Sequence, residues 1–188
     1  PFTIDKAAPA VTEPKAKALT YNGSDQPLVT EGSSADGAFQ YWLDGEQPGE
    51  SIPQAKNAGK YTVYYQLMGD DNHENGTVGT IEVEIKKKDI AKANITLGAR
   101  LFYNGDYQTQ TVASVTVEGV TGEVTYNVTG NTGKDARTDY TMTLEGTGNF
   151  TGKTTKDWSI APKNIRDASI TLKKDPQTYT GQMLTNSV

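Results

Sequence analysis

Cysteine is absent from this 188-residue chain, histidine occurs once and tryptophan twice. No apolar run approaches the roughly 20 residues that a membrane-spanning helix requires. Without cysteine there are no disulfides and no thiolate metal sites, so small cores must be held by close β-packing. His73 is the sole possible partner for a Ser-His-Asp arrangement and no Gly-x-Ser-x-Gly elbow occurs, so hydrolase chemistry has nothing to build on. Paired carboxylates are available by type, but without a concave scaffold they have no address. The net charge of −5 argues against a nucleic-acid partner, which needs a clustered basic face. One basic run exists, Lys86-Lys87-Lys88, and its place between repeats reads as a solvated linker too short to anchor a membrane surface. The N-terminus has no basic-then-apolar signal pattern, so a leader or anchor is expected outside this chain. Neither an enzyme nor a cofactor is expected.

What is present is repetition. Leu19-Thr20-Tyr21-Asn22-Gly23 returns as Leu101-Phe102-Tyr103-Asn104-Gly105 and as Gln177-Thr178-Tyr179-Thr180-Gly181. Self-similarity on this scale means small domains in series, each with its own core. The expected division is residues 1–4 as the end of a preceding repeat, with Phe2-Thr3-Ile4 its last strand. Residues 5–85 make repeat one, 86–160 repeat two, and 161–188 a partial third. The two full repeats are expected to meet at residues 85–89. Because a partial repeat cannot bury a core, the apolar edge of 161–188 is expected to pair with its neighbour or with a second chain.

Neither repeat shows a 3.6-residue apolar period; both show period-two alternation broken by Gly, Asn and Pro, the signature of an all-β fold. In the second repeat, strands are expected near 95–97, 101–103, 109–117, 123–128, 140–144 and 156–160. Tyr140, Met142 and Leu144 alternate with Thr141, Thr143 and Glu145, so the apolar set faces the core. Transferred to the first repeat, this turns Tyr61, Val63 and Tyr65 inward and Thr62, Tyr64 and Gln66 outward. Matching Val124, Tyr126 and Val128 with Phe39, Tyr41 and Leu43 places Trp42 on the outer face, level with Asn127. Val83, Ile85, Trp158 and Ile160 belong to the core.

Several motifs together resemble the bacterial Ig-like and mucin-binding-type (MBG-like) repeats of Gram-positive surface proteins. They are Ala161-Pro162-Lys163-Asn164-Ile165 with Ala168-Ser169-Ile170-Thr171-Leu172, the Tyr-x-Gly motifs, residues 58–65 and Gly148-Asn149-Phe150-Thr151-Gly152. The resemblance spans nearly the whole chain. It implies tandem Ig-like β-sandwiches in an extracellular protein of the bacterial cell surface or wall, serving as adhesin or as stalk. It supplies no catalytic residues. Some such repeats are β-grasp-like, which would require a crossing helix; no segment has the length and periodicity for one, so the sandwich is the expected fold and β-grasp-like repeats the alternative.

The exposed aromatics Trp42 and Tyr64, with Asp44 or Gln66 as polar partners, form the candidate ligand-binding patch, suited to a host glycan, mucin or surface protein. The plainer reading has Trp42 covered by the insertion at 46–54. Asp71, Asn75 and Glu82 nearly fit the spacing of a calcium loop, but His73 breaks the pattern and no helices flank it, so a hairpin turn is the stronger reading. Five Asn-x-Ser/Thr triplets, at Asn22, Asn75, Asn94, Asn127 and Asn149, follow from the high Asn and Thr content.

Overall fold

A computed structural model describes residues 2–169. The first repeat contains β1 (Leu19–Thr20), β2 (Gln26–Pro27), β3 (Gly37–Leu43), β4 (Gln54–Ala55), β5 (Gly59–Gly69) and β6 (Gly79–Lys86). Its larger sheet runs β1-β6-β5-β3. Within it β3, β5 and β6 are antiparallel, and β1 lies parallel to β6 at the edge, Leu19 opposite Ile85. The facing layer pairs β2 with β4 and joins Thr12 to Ser33 and Ala16 to Val29. Leu28 and Val29 from that layer meet Val63, Leu67, Val83 and Ile85 from the sheet, all buried. Phe39, Tyr41 and Trp42 in β3 and the run Tyr61-Thr62-Val63-Tyr64-Tyr65 in β5 are aromatic or β-branched, side chains that pack well on a pleated, half-buried surface.

The second repeat follows the same plan with β7 (Lys88–Asp89), β8 (Asn94–Leu97), β9 (Leu101–Phe102), β10 (Gln108–Thr109), β11 (Val112–Thr116), β12 (Tyr126–Thr129), β13 (Thr132–Gly133), β14 (Arg137–Gly146), β15 (Phe150–Thr151) and β16 (Lys153–Ala161). Its sheet is β12-β14-β16-β9, again with the edge strand parallel to the last one, Leu101 opposite Ile160. β8 pairs with β11 and β10 with β13 in the facing layer. The parallel Ala7–His73 bridge of the first repeat recurs as the β7–β15 pair. Two layers with a parallel edge strand beside the last strand make each repeat an Ig-like β-sandwich. The β-grasp alternative does not hold: among the described residues the sole helical element is the 3-10 turn Ile165–Asp167, and it crosses no sheet.

The inward residues lie where alternation put them. Val63, Met142, Leu144 and Ile160 are fully buried, and Trp158 stacks on Tyr140 with centroids 4.4 Å apart. Three expectations are corrected. Thr143, opposite Thr129, corresponds to Tyr64, opposite Trp42, so Trp42 is level with Thr129 and not with Asn127. A two-residue slip leaves every side chain on its own face, so alternation cannot detect it. The strand expected at 123–128 is Tyr126–Thr129, and Val124 reaches the core from the loop before it. The strand expected over 109–117 is two pieces, β10 and β11, because the backbone passes from one partner to another at Gln110-Thr111.

Phe2-Thr3-Ile4 forms no strand; Phe2 and Ile4 are exposed and have no sheet edge beside them. The lysine run is no extended linker. Lys86 ends β6 and Lys88 begins β7, leaving Lys87 alone between strands. Self-pairing through 161–188 falls mostly on residues 170–188, outside the described residues.

Among the described residues every strand pairing lies within residues 7–86 or 88–161, yet the two halves touch. Tyr21 meets Phe150 edge to face, centroids 5.2 Å apart, and both rings are buried. Asn149 accepts from the Ala58 N–H (2.9 Å) and donates to the Asn57 side chain (3.1 Å). The Thr121 N–H donates to the Asn22 carbonyl at 2.8 Å. Gly23 has φ +84°, and a Cβ there would lie 1.9 Å from the Thr121 carbonyl oxygen, so glycine is required on both counts.

Candidate ligand-binding face

On the outer side of the first sheet, Trp42 of β3 lies directly across from Tyr64 of β5, which lies across from Thr80 of β6. The two rings are nearly parallel, 12° between planes and 5.8 Å between centroids, and both are half-buried. Cross-strand neighbours on one face are held at this separation by sheet geometry, so the pair is preformed rather than assembled by a ligand. Among the described residues, neither the Trp42 indole N–H nor the Tyr64 hydroxyl makes a hydrogen bond. The Trp158 N–H, by contrast, donates to the Gly130 carbonyl at 3.0 Å. Large aromatics with unengaged polar ends, set in a sheet face, combine apolar contact area with directional donors.

The other two expected patch residues sit on either side. Gln66 is one row along, opposite Gln40, and its Nε2 donates to the Gly76 carbonyl at 2.9 Å. This fixes the amide and leaves its oxygen uncommitted among the described residues. Asp44 is exposed just past the end of β3, before the turn at Gly45. The insertion at 46–54 runs along the edge of β3: Gly49 exchanges two backbone hydrogen bonds with Tyr41, at 2.7 and 3.0 Å. It therefore extends the sheet sideways instead of closing fully over Trp42.

The three residues of calcium-loop spacing are each otherwise engaged or apart. Asn75 accepts the Gly69 N–H at 3.0 Å, Glu82 accepts the Thr62 hydroxyl at 2.6 Å on the outer sheet face, and Asp71 is exposed in the turn. Among the described residues no group of three or more His, Asp or Glu side chains is arranged to hold a metal ion. His73 bonds Asp70 through Nδ1 at 2.8 Å, and that contact with the Asn72 N–H holds the Asp70 carboxyl below its ordinary range. Asp36 lies on the other ring nitrogen at 3.7 Å. With no nucleophile in contact, the arrangement braces a turn.

Sequence reasoning missed the residues that join the repeats. The Tyr-x-Gly motif marked the period, but its partners are distant in sequence, Thr121 lying 99 positions from Asn22 and Phe150 lying 129 from Tyr21. Tyr21 lies in a motif that recurs, but Asn149-Phe150 has Asn72-His73 at the equivalent place in the first repeat, so no repeated pattern pointed to the contact.

No family model matches the chain, and no curated protein matches it. Among solved structures, the fibronectin(III)-like modules of Clostridium thermocellum CbhA align at 12% identity over 87% of this chain and 98% of that chain, with a TM-score of 0.25. The fold assignment rests on the strand topology.

Proposed function

We propose that this chain is a non-catalytic segment of an extracellular bacterial surface adhesin, built from MBG-like Ig-type repeats, whose first repeat binds a glycan carried on host mucin. Trp42 and Tyr64 supply stacking surface for a sugar ring, and Asp44 and Gln66 supply polar contacts to its hydroxyls. The observation that carries this reading is the near-parallel aromatic pair on the solvent side of a sheet, with both polar ends unengaged among the described residues. The surface setting draws on the resemblance of the repeat motifs.

The test compares the full chain with a Trp42→Thr, Tyr64→Thr variant on a glycan array and in a purified-mucin pull-down. Threonine is what the second repeat carries at both corresponding positions. The expected result is binding by the parent and loss of it in the variant with the fold intact. Equal binding by both, or none by either, rejects the reading.

A second reading, that the repeats are spacers holding a distal domain away from the cell, is favoured by the interlocked junction between them. Side-chain hydrogen bonds and a buried aromatic contact there resist bending in a way a free linker does not.

A further inference from the structure

The end of the second repeat reproduces, unoccupied among the described residues, the surface on which the second repeat docks against the first. At the first junction the Tyr21 N–H donates to the Lys86 carbonyl at 2.9 Å; at the second end the Tyr103 N–H donates to the Ala161 carbonyl at 2.8 Å. Gln26 Nε2 reaches the Thr20 carbonyl, and Gln108 Nε2 reaches the Phe102 carbonyl. The connector recurs as well. The Asp89 carboxylate accepts the Ala91 N–H at 2.9 Å, and the Asn164 side chain accepts the Arg166 N–H at 3.0 Å. The Ala93 N–H donates to the Ile90 carbonyl, and the Ala168 N–H to the Ile165 carbonyl.

Exposure separates the two ends. Tyr21 is 7% exposed and Tyr103 39%; Ile90 is 0% exposed and Ile165 85%. A Cβ on Gly23 would strike Thr121, whereas one on Gly105, at φ +89°, meets nothing within 4 Å among the described residues. Ala58 is bonded by Asn149, but its counterpart Ala136 lines an open, mainly apolar hollow of about 410 Å³ with Tyr103, Pro162 and Ile165. Carrying this much apolar surface exposed beside a connector already shaped to launch a repeat leaves a preformed contact unmade.

We propose that this hollow is the socket for a further repeat of the same kind, the one whose opening pattern residues 162–188 carry. Its Asn-aromatic turn, equivalent to Asn149-Phe150, packs on Tyr103 and Ala136. Its counterpart of Thr121 closes over Asn104-Gly105. The array then extends by repeating one junction, and every Tyr-x-Gly motif is a coupling element. This inference does not depend on glycan recognition and stands if that reading fails.

The test completes the third repeat from the chain's own sequence. Val188 aligns with Val112, so residues 113–161 are appended after Val188; a second build replaces 162–188 with a copy of 87–161. Hydrogen exchange is then followed over residues 103–106 and 136 in each build and in the unextended chain. The expected result is exchange slowed about tenfold or more in the extended chains, and restored to its unextended rate by Tyr103→Ser or by serine at the appended copy of Phe150. A folded third repeat with residues 103–106 exchanging as before overturns the proposal. So does a third repeat that folds in neither build, since the same sequence folds against Tyr21.

Discussion

One cross-strand row distinguishes the two repeats. In the first it reads Trp42, Tyr64, Thr80; in the second Thr129, Thr143, Thr155. Around that threonine row the second repeat saturates its outer face with local polar pairs, Lys153 with Glu145 at 3.2 Å and Thr141 with Asp157 at 2.7 Å. Its tryptophan is turned inward, stacked on Tyr140 and bonded to Gly130. The same sandwich therefore closes without aromatics in that row; the outward aromatic of the second repeat's sheet is Phe102, in the edge strand β9 and 54% exposed. Trp42 and Tyr64 are thus not a demand of the fold, and this is what directs attention to recognition.

The largest difference between the repeats should lie in their two tryptophans. Trp158→Ala removes a ring that is 3% exposed and should cost about 3–5 kcal/mol in a denaturant melt. Trp42→Thr should cost about 1 kcal/mol, the scale of one cross-strand aromatic pair. Equal costs would mean that Trp42 belongs to the core.

A second comparison sets the occupied end of a repeat against the open one. Gly23→Ala places a methyl into the Thr121 carbonyl in addition to backbone strain, and should destabilise the chain by more than Gly105→Ala. The latter faces open space and carries only the strain of its positive φ, about 1–2 kcal/mol. Chemical melts of both variants would show the difference, and its absence would mean that the first junction is not formed in solution.

Proteolysis sharpens the same contrast. Lys86 and Lys88 are held in strands, whereas Lys163 lies in the connector after β16. Mild trypsin should therefore cut at Lys163 before the lysine run, because a protease needs several residues of unpaired backbone. First cleavage at 86–88 would point to a loose junction.

The smallest effect expected is electrostatic. Arg137 donates to both oxygens of Asp139 and holds its carboxyl below the ordinary range. A lowered folded-state value contributes stability above the unfolded value, about pH 4, and loses it as pH falls through the folded one. Asp139→Asn should flatten that acid limb slightly, since the pair is exposed and screened. An unchanged profile would show that it contributes nothing.

The faces of the long strands were legible because alternation reports burial directly: Tyr61, Val63, Met142 and Leu144 point where period two puts them. Register was not, since the slip between Trp42 and Thr129 preserves facing. Val128 shows the same limit from another side. It lies on the inward row opposite Leu144, yet it is 37% exposed, one residue short of the end of β12. The adjacency of Trp42 and Tyr64 was legible as a shared face, but the coupling of Tyr21 to Phe150 was not. It joins residues separated by a whole repeat, and no local pattern encodes that contact.

Whether the outer aromatic row is a recognition surface or a requirement of the sandwich is decided by moving the row. Binding to purified mucin would be measured for the parent, for Trp42→Thr with Tyr64→Thr, and for that variant further carrying Thr129→Trp and Thr143→Tyr. A recognition surface gives loss in the first variant and at least partial return in the second, with all three chains folded. Binding indifferent to all four substitutions would mean that the aromatic row recognises nothing.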